Sequence, residues 1–220
     1  MSLDISAAEV AVAPAGIESP SRVAHLGLVA LFLVSGAAAL IYQVCWQRLL
    51  FESIGTDIDS VTIIVSTFML GLGLGALAGG EAADRHPQRT LMLFALIELA
   101  TGLFGACSVP LIHFVSVLTV RGSLATIAVA NFLLLMIPTT LMGATLPILV
   151  THVMRVYRNL GVSVGTLYCA NTLGAALGAA GTGFGVLYYF GLRSTIYIAV
   201  ALNLAVSAGA WLALRKQHVV

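Results

Sequence analysis

Glu98 is the residue of this chain best placed to do chemistry. It stands in Ala95-Leu96-Ile97-Glu98-Leu99-Ala100 and is the one acidic side chain well inside a long apolar run. Counted from Thr90 at ~1.5 Å per residue, it lies about 12 Å into that run. An ionised, unpaired carboxylate at such depth costs several kcal/mol, so it must be protonated, hydrogen-bonded or open to a wet cavity. It reads either as a ligand for a cation or proton, or as a protonated side chain bonded to a neighbouring helix. The same arithmetic puts Asn171 about 15 Å and Asn203 about 16 Å from the ends of their runs, with Tyr168 one turn before Asn171. By depth, Glu98, Tyr168, Asn171 and Asn203 form a candidate intramembrane polar site. As interhelical glue alone, such bonds are worth only ~1 kcal/mol each.

Other chemistries find no support. No H-E-x-x-H pair, Ser/His/Asp set or glycine-rich phosphate loop is present, and His25, His86, His113, His152 and His218 are scattered. Cys45, Cys107 and Cys169 sit in apolar stretches without C-x-x-C spacing, which reads as buried thiols. No catalytic set, metal or cofactor is expected. Tyr42 and Trp46, four apart, share a helix face and read as interfacial aromatics, while Arg48 reads as snorkelling or pairing with Glu52. Pro138 and Pro147 predict a kinked or broken helix whose freed carbonyls Thr139, Thr140 and Thr145 or a ligand could satisfy.

The elements that carry these residues follow from composition. The 220 residues are 60% hydrophobic and 9% charged, with a mean hydropathy of +1.04. That is too apolar for a soluble domain and predicts an all-α integral membrane protein. A net charge of +1 leaves no basic field for nucleic acid. Residues 1–22 read as a flexible tail, 23–216 as a six-helix transmembrane domain and 217–220 as a short tail. The spans are expected at about Val23–Leu50, Val61–Gly80, Thr90–Val120 (with Pro110 as a kink), Leu124–Thr151, Val162–Phe190 and Ser194–Leu214.

Two of these spans carry glycine ladders. Gly71, Gly75 and Gly79 make one flat strip, and Gly174 and Gly178 continue another from Ala170, so both spans are expected in the packed interior of the bundle. The first strip runs into a cytoplasmic turn marked by Asp84 and Arg85. With the N-terminus inside, Arg22, Arg85, Arg89, Arg155, Arg158, Arg215 and Lys216 are cytoplasmic and only Arg48, Arg121 and Arg193 are outside. Both termini of this multi-pass protein are therefore expected in the cytoplasm.

Several stretches together resemble a known family. Ser35-Gly36-Ala37-Ala38-Ala39-Leu40-Ile41-Tyr42-Gln43-Val44-Cys45-Trp46-Gln47-Arg48, the strip ending in Gly80-Glu81-Ala82-Ala83-Asp84-Arg85, Met142-Gly143-Ala144-Thr145-Leu146-Pro147 and Gly165-Thr166-Leu167-Tyr168-Cys169-Ala170-Asn171 are similar to the membrane domain of fused major-facilitator/spermidine-synthase-like proteins. The resemblance implies a six-helix bundle like one half of a major facilitator transporter. It also implies a cytoplasmic aminopropyltransferase domain beyond the spans, which this sequence does not contain, so synthase activity is not expected of it. Two functions follow. One is a non-catalytic membrane subunit that anchors or serves a partner, for instance a separately encoded spermidine-synthase-like protein. The other is a half-size transporter, a homodimer carrying a small, polyamine-like solute past Glu98.

Overall fold

The computed structural model describes residues 22–55, 57–119, 121–157 and 160–217, and every element among them is helical. The expected tails fall almost wholly on residues 1–21 and 218–220, outside the described residues. The elements are α1 (Arg22–Ile54), α2 (Asp57–Arg85), α3 (Thr90–Thr119), α4 (Leu124–Tyr157), α5 (Leu160–Gly181), a π-helical segment (Thr182–Val186) and α6 (Leu187–Gln217). Five helices are long and apolar enough to cross a membrane, not six, because Leu160–Arg215 runs as one helical stretch with no loop in it.

That stretch is nonetheless folded back on itself. Gly174 in α5 presses on the Leu33 backbone, and a Cβ on Gly209 in α6 would meet Leu31 Cδ2 at 2.7 Å. Both positions reach the same turn of α1, whereas a straight helix would hold them about 50 Å apart. The reversal is at Gly191, whose φ of 74° and ψ of 172° are open only to glycine. One residue thus does the work expected of a loop.

The prolines do not break their helices either. Pro110 lies inside α3, and Pro138 and Pro147 inside α4. Hydroxyls near the prolines bond back to carbonyls of their own helices: Thr139 Oγ1 donates to Leu135 O at 2.9 Å, Thr145 Oγ1 to Met142 O at 2.7 Å and Ser108 Oγ to Gly105 O at 2.7 Å.

Glycine decides which helices touch. A Cβ on Gly79 would lie 2.6 Å from Ala144 Cα, and one on Gly75 2.9 Å from Gly143 Cα, while Gly71 faces Thr139. On the other side of the bundle Gly178 faces Ala37, where a Cβ would come within 2.8 Å of its Cα. The packing repeats: α2 lies on α4 as α5 lies on α1, α3 on α4 as α6 on α1, and α3 and α6 meet each other. The expectation that the second and fifth spans are interior is corrected. A ladder every fourth residue covers one face only, and Leu70, Leu74, Leu77, Leu173 and Leu177 on the remaining faces are exposed.

Two further side-chain expectations change. Tyr42 and Trp46 are fully buried, stacked at 4.9 Å with Phe68 and Phe104 against Trp46, and so belong to the core. Gly105 opens the space that the Tyr42 ring fills. Cys107 and Cys169 lie on outward helix faces, and only Cys45 is buried. Arg48 and Glu52 are both exposed. At the far end α2 closes with an Arg85–Glu81 ion pair of 2.6 Å, Asp84 is exposed, and Arg155 of α4 donates to Pro87 O in the following turn.

Candidate functional site

The polar centre is built where α1, α3 and α6 meet. Glu98 of α3 is 1% exposed and Asn203 of α6 is 3% exposed. The Ser35 hydroxyl of α1 donates to Glu98 Oε1 at 2.5 Å, and Asn203 Nδ2 donates to Glu98 Oε2 at 2.6 Å. One turn away Ser207 Oγ donates to Ala95 O at 2.7 Å, which holds α6 at this register on α3. Gly102 lies opposite, and a Cβ there would touch Asn203 Cβ at 3.3 Å. Asn203 is therefore clamped from both sides of Glu98.

This centre forms part of the wall of a cavity of about 400 Å³ enclosed by α1, α2, α3, α4, α5 and α6. Tyr168 and Asn171 of α5 also line it, so all four residues expected to share a depth share one space. They do not all touch. Tyr168 is 60% exposed at the rim, and Asn171 is half-buried beside Gly36. Only Asn203 bonds to Glu98 directly. Thr101 and Thr145 line the same space.

Ser35 is the member that sequence reasoning missed. Its signal was the pair Ser35-Gly36 inside an apolar run, since the missing Cβ at Gly36 admits the Asn171 backbone and brings α5 against α1. A lone serine in such a run ordinarily bonds back to its own helix, which is why its type alone did not single it out.

Chemically, the site offers acceptors. Both partners of Glu98 are neutral donors, and a carboxylate has about four lone-pair sites, of which they fill two. Asn203 Oδ1 and Thr101 Oγ are buried and have no hydrogen-bond partner among the described residues. Among the described residues no basic side chain lines the cavity. Groups of three or more His, Cys, Asp or Glu able to hold a metal are absent among the described residues.

Comparison with known proteins finds relatives of one name. The chain is 30% identical over 196 residues to a polyamine aminopropyltransferase of Corynebacterium efficiens, covering 86% of this chain and 36% of that protein. It is 27% identical over 216 residues to polyamine aminopropyltransferase 2 of Streptomyces coelicolor, covering 93% and 38%. With a polyamine aminopropyltransferase of Oceanobacillus iheyensis it shares 23% over 168 residues, covering 76% and 31%. The chain thus spans about a third of the length of these relatives. No family model and no solved structure matches it.

These findings correct the sequence reading. The relatives carry the name of the transferase, and nothing among them supports a major facilitator bundle. The expected roles as a non-catalytic anchoring subunit or as a half-size transporter are overturned on the same ground. Short helix motifs rich in glycine recur wherever backbones pack closely, so they report packing and not transport.

Proposed function

We propose that this chain acts in the transfer of an aminopropyl group to a polyamine, and that its own contribution is to bind the protonated amine at Glu98. The observation that carries the reading is the likeness to polyamine aminopropyltransferases along most of the chain. The site is compatible with that substrate. A primary ammonium has three donors and no acceptor, and the Glu98 wall presents a carboxylate whose neighbours neutralise none of its charge. A charge-assisted hydrogen bond there is worth about 1.5–3 kcal/mol and offsets the cost of leaving the carboxylate buried and unpaired.

In this reading residues 23–216 form one domain that crosses the membrane of a bacterial cell, with both termini in the cytoplasm and the Arg85, Arg89 and Arg155 end facing inward. The excess of arginine at that end supports the orientation. Membrane lipid and a small amine are then its partners.

The test is equilibrium binding of radiolabelled spermidine to the purified full chain in detergent. Specific binding that Glu98→Gln abolishes, with Glu81→Gln unchanged, is the expected result. Absence of binding to the native chain, or equal binding to the Glu98→Gln variant, overturns the assignment.

A further inference from the structure

A second cavity, distinct from the Glu98 space, opens at the end of the molecule where the chain reverses at Gly191. It has a volume of about 830 Å³, within the ~300–1,000 Å³ usual for small-molecule sites. Its walls are mostly apolar, including Val109, Ile112, Val117, Ile127, Phe190 and Leu192. Three chemistry-bearing side chains from three helices converge on it: Glu52 of α1, His113 of α3 and Arg193 of α6. All three are exposed. Among the described residues the Arg85–Glu81 pair is at the opposite end, and no ion pair joins Glu52 to Arg193 or His113.

A carboxylate and a guanidinium held in one cleft without pairing call for a ligand bearing both charges. Apolar walls beneath them call for a ligand with an apolar body. The position names the source. Phe190 lines the cleft next to Tyr188 and Tyr189, which stack edge to face at 5.1 Å and are strongly exposed. An exposed aromatic cluster at the end of long apolar helices marks the level of lipid headgroups.

We propose that this cleft binds an aminophospholipid of the phosphatidylethanolamine type, the phosphate on Arg193 and His113, the ammonium on Glu52, and the acyl chains along Val117, Ile127 and Phe190. Arginine suits phosphate because its planar fork donates two parallel bonds. Glu52 supplies the selectivity, since a glycerol headgroup gives it no cation and a trimethylated one gives it no N–H donor. The inference rests on the membrane-crossing part of the reading above and is independent of the amine site.

The test uses the full chain, delipidated in detergent, with native mass spectrometry of bound synthetic lipids of identical acyl chains. Phosphatidylethanolamine should bind in preference to phosphatidylglycerol and phosphatidylcholine. Glu52→Gln should weaken phosphatidylethanolamine about tenfold and leave phosphatidylglycerol unchanged, and Arg193→Gln should weaken both about tenfold, the worth of one charge-assisted bond. Arg121→Gln, outside the cleft, should change neither. Equal binding of the three lipids by the native chain overturns the proposal without need of any variant, as does a Glu52→Gln chain that keeps its preference. Soluble phosphoethanolamine binding as tightly as the lipid would overturn the lipid source. A chain that fails to float with vesicles would instead refute the membrane reading, a result separable from any ranking of headgroups.

Discussion

Glu98→Gln should leave the fold standing, and Glu98→Leu should not leave it unharmed. In the native site Ser35 donates to one carboxylate oxygen and Asn203 Nδ2 to the other, while Asn203 Oδ1 has no partner among the described residues. A carboxamide at position 98 keeps an oxygen for Ser35 and turns a donor toward Asn203. Rotating the Asn203 amide by half a turn then places Oδ1 on that donor. Both charge-assisted bonds become neutral ones, a loss of about 1 kcal/mol each, while the cost of a buried carboxylate disappears and the unpartnered Asn203 Oδ1 is exchanged for an unpartnered Nδ2. The net change is expected within ~1 kcal/mol. Leucine offers neither group. Ser35 can turn back to its own helix, but the Asn203 amide is left buried with nothing to bond, at a cost of about 1–3 kcal/mol.

The assay is reversible unfolding of the three proteins in mixed micelles with increasing denaturing detergent, followed by helical circular dichroism. The glutamine variant should unfold close to the native midpoint and the leucine variant about 2 kcal/mol earlier. Two results refute the reasoning. If the glutamine variant falls as far as the leucine variant, the charge itself holds the helices together. If the leucine variant matches the native protein, the Asn203 contact carries no weight.

Other predictions follow from the packing. Gly79→Ala should destabilise by about 1–3 kcal/mol in the same assay, because its Cβ would meet the Ala144 backbone at 2.6 Å, whereas Gly80→Ala, with open space before it, should be neutral or stabilising by up to ~1 kcal/mol. Gly191→Ala should cost about 1–3 kcal/mol at a φ of 74° and ψ of 172°, and should disturb the α6 contacts more than those of α2 with α4, read by hydrogen exchange. Cys45 should resist maleimide in the folded chain in detergent and react only after unfolding, read as an added adduct by mass.

What the sequence made legible was periodicity. Long apolar runs located four helices, with ends that differ by up to six residues, and glycines every fourth position identified the faces of α2 and α5 that press on neighbours. Depth along a helix was legible too, since rise per residue is constant, and it brought Glu98, Tyr168, Asn171 and Asn203 to one cavity. Rotation about the helix axis was not. Tyr42 and Trp46 share a face whichever way it points, and only the space opened by Gly105 on another helix turns that face inward. The same blindness hid the outward Cys107 and Cys169 and the inward Ser35. The reversal at Gly191 was hidden for another reason: glycine is common in this chain, and nothing in a single Gly distinguishes a turn from a packing contact.

The location of Glu98 follows from the packing as much as from its own chemistry. The glycine-lined pairs, α2 with α4 and α1 with α5, bring backbones together so closely that no long side chain fits between them. α3 and α6 meet between these pairs, and that seam holds the carboxylate of Glu98 on Asn203. Structural bonding across such a seam needs only an amide, since glutamine and asparagine can each donate and accept. A carboxylate accepts only, and here it takes one bond from α1 and one from α6, both uncharged, in the wall of a cavity. Two helices are tied by this arrangement while part of the acceptor capacity of Glu98 stays open to the cavity, so the contacts that fix the α3 and α6 register also leave acceptors in its wall.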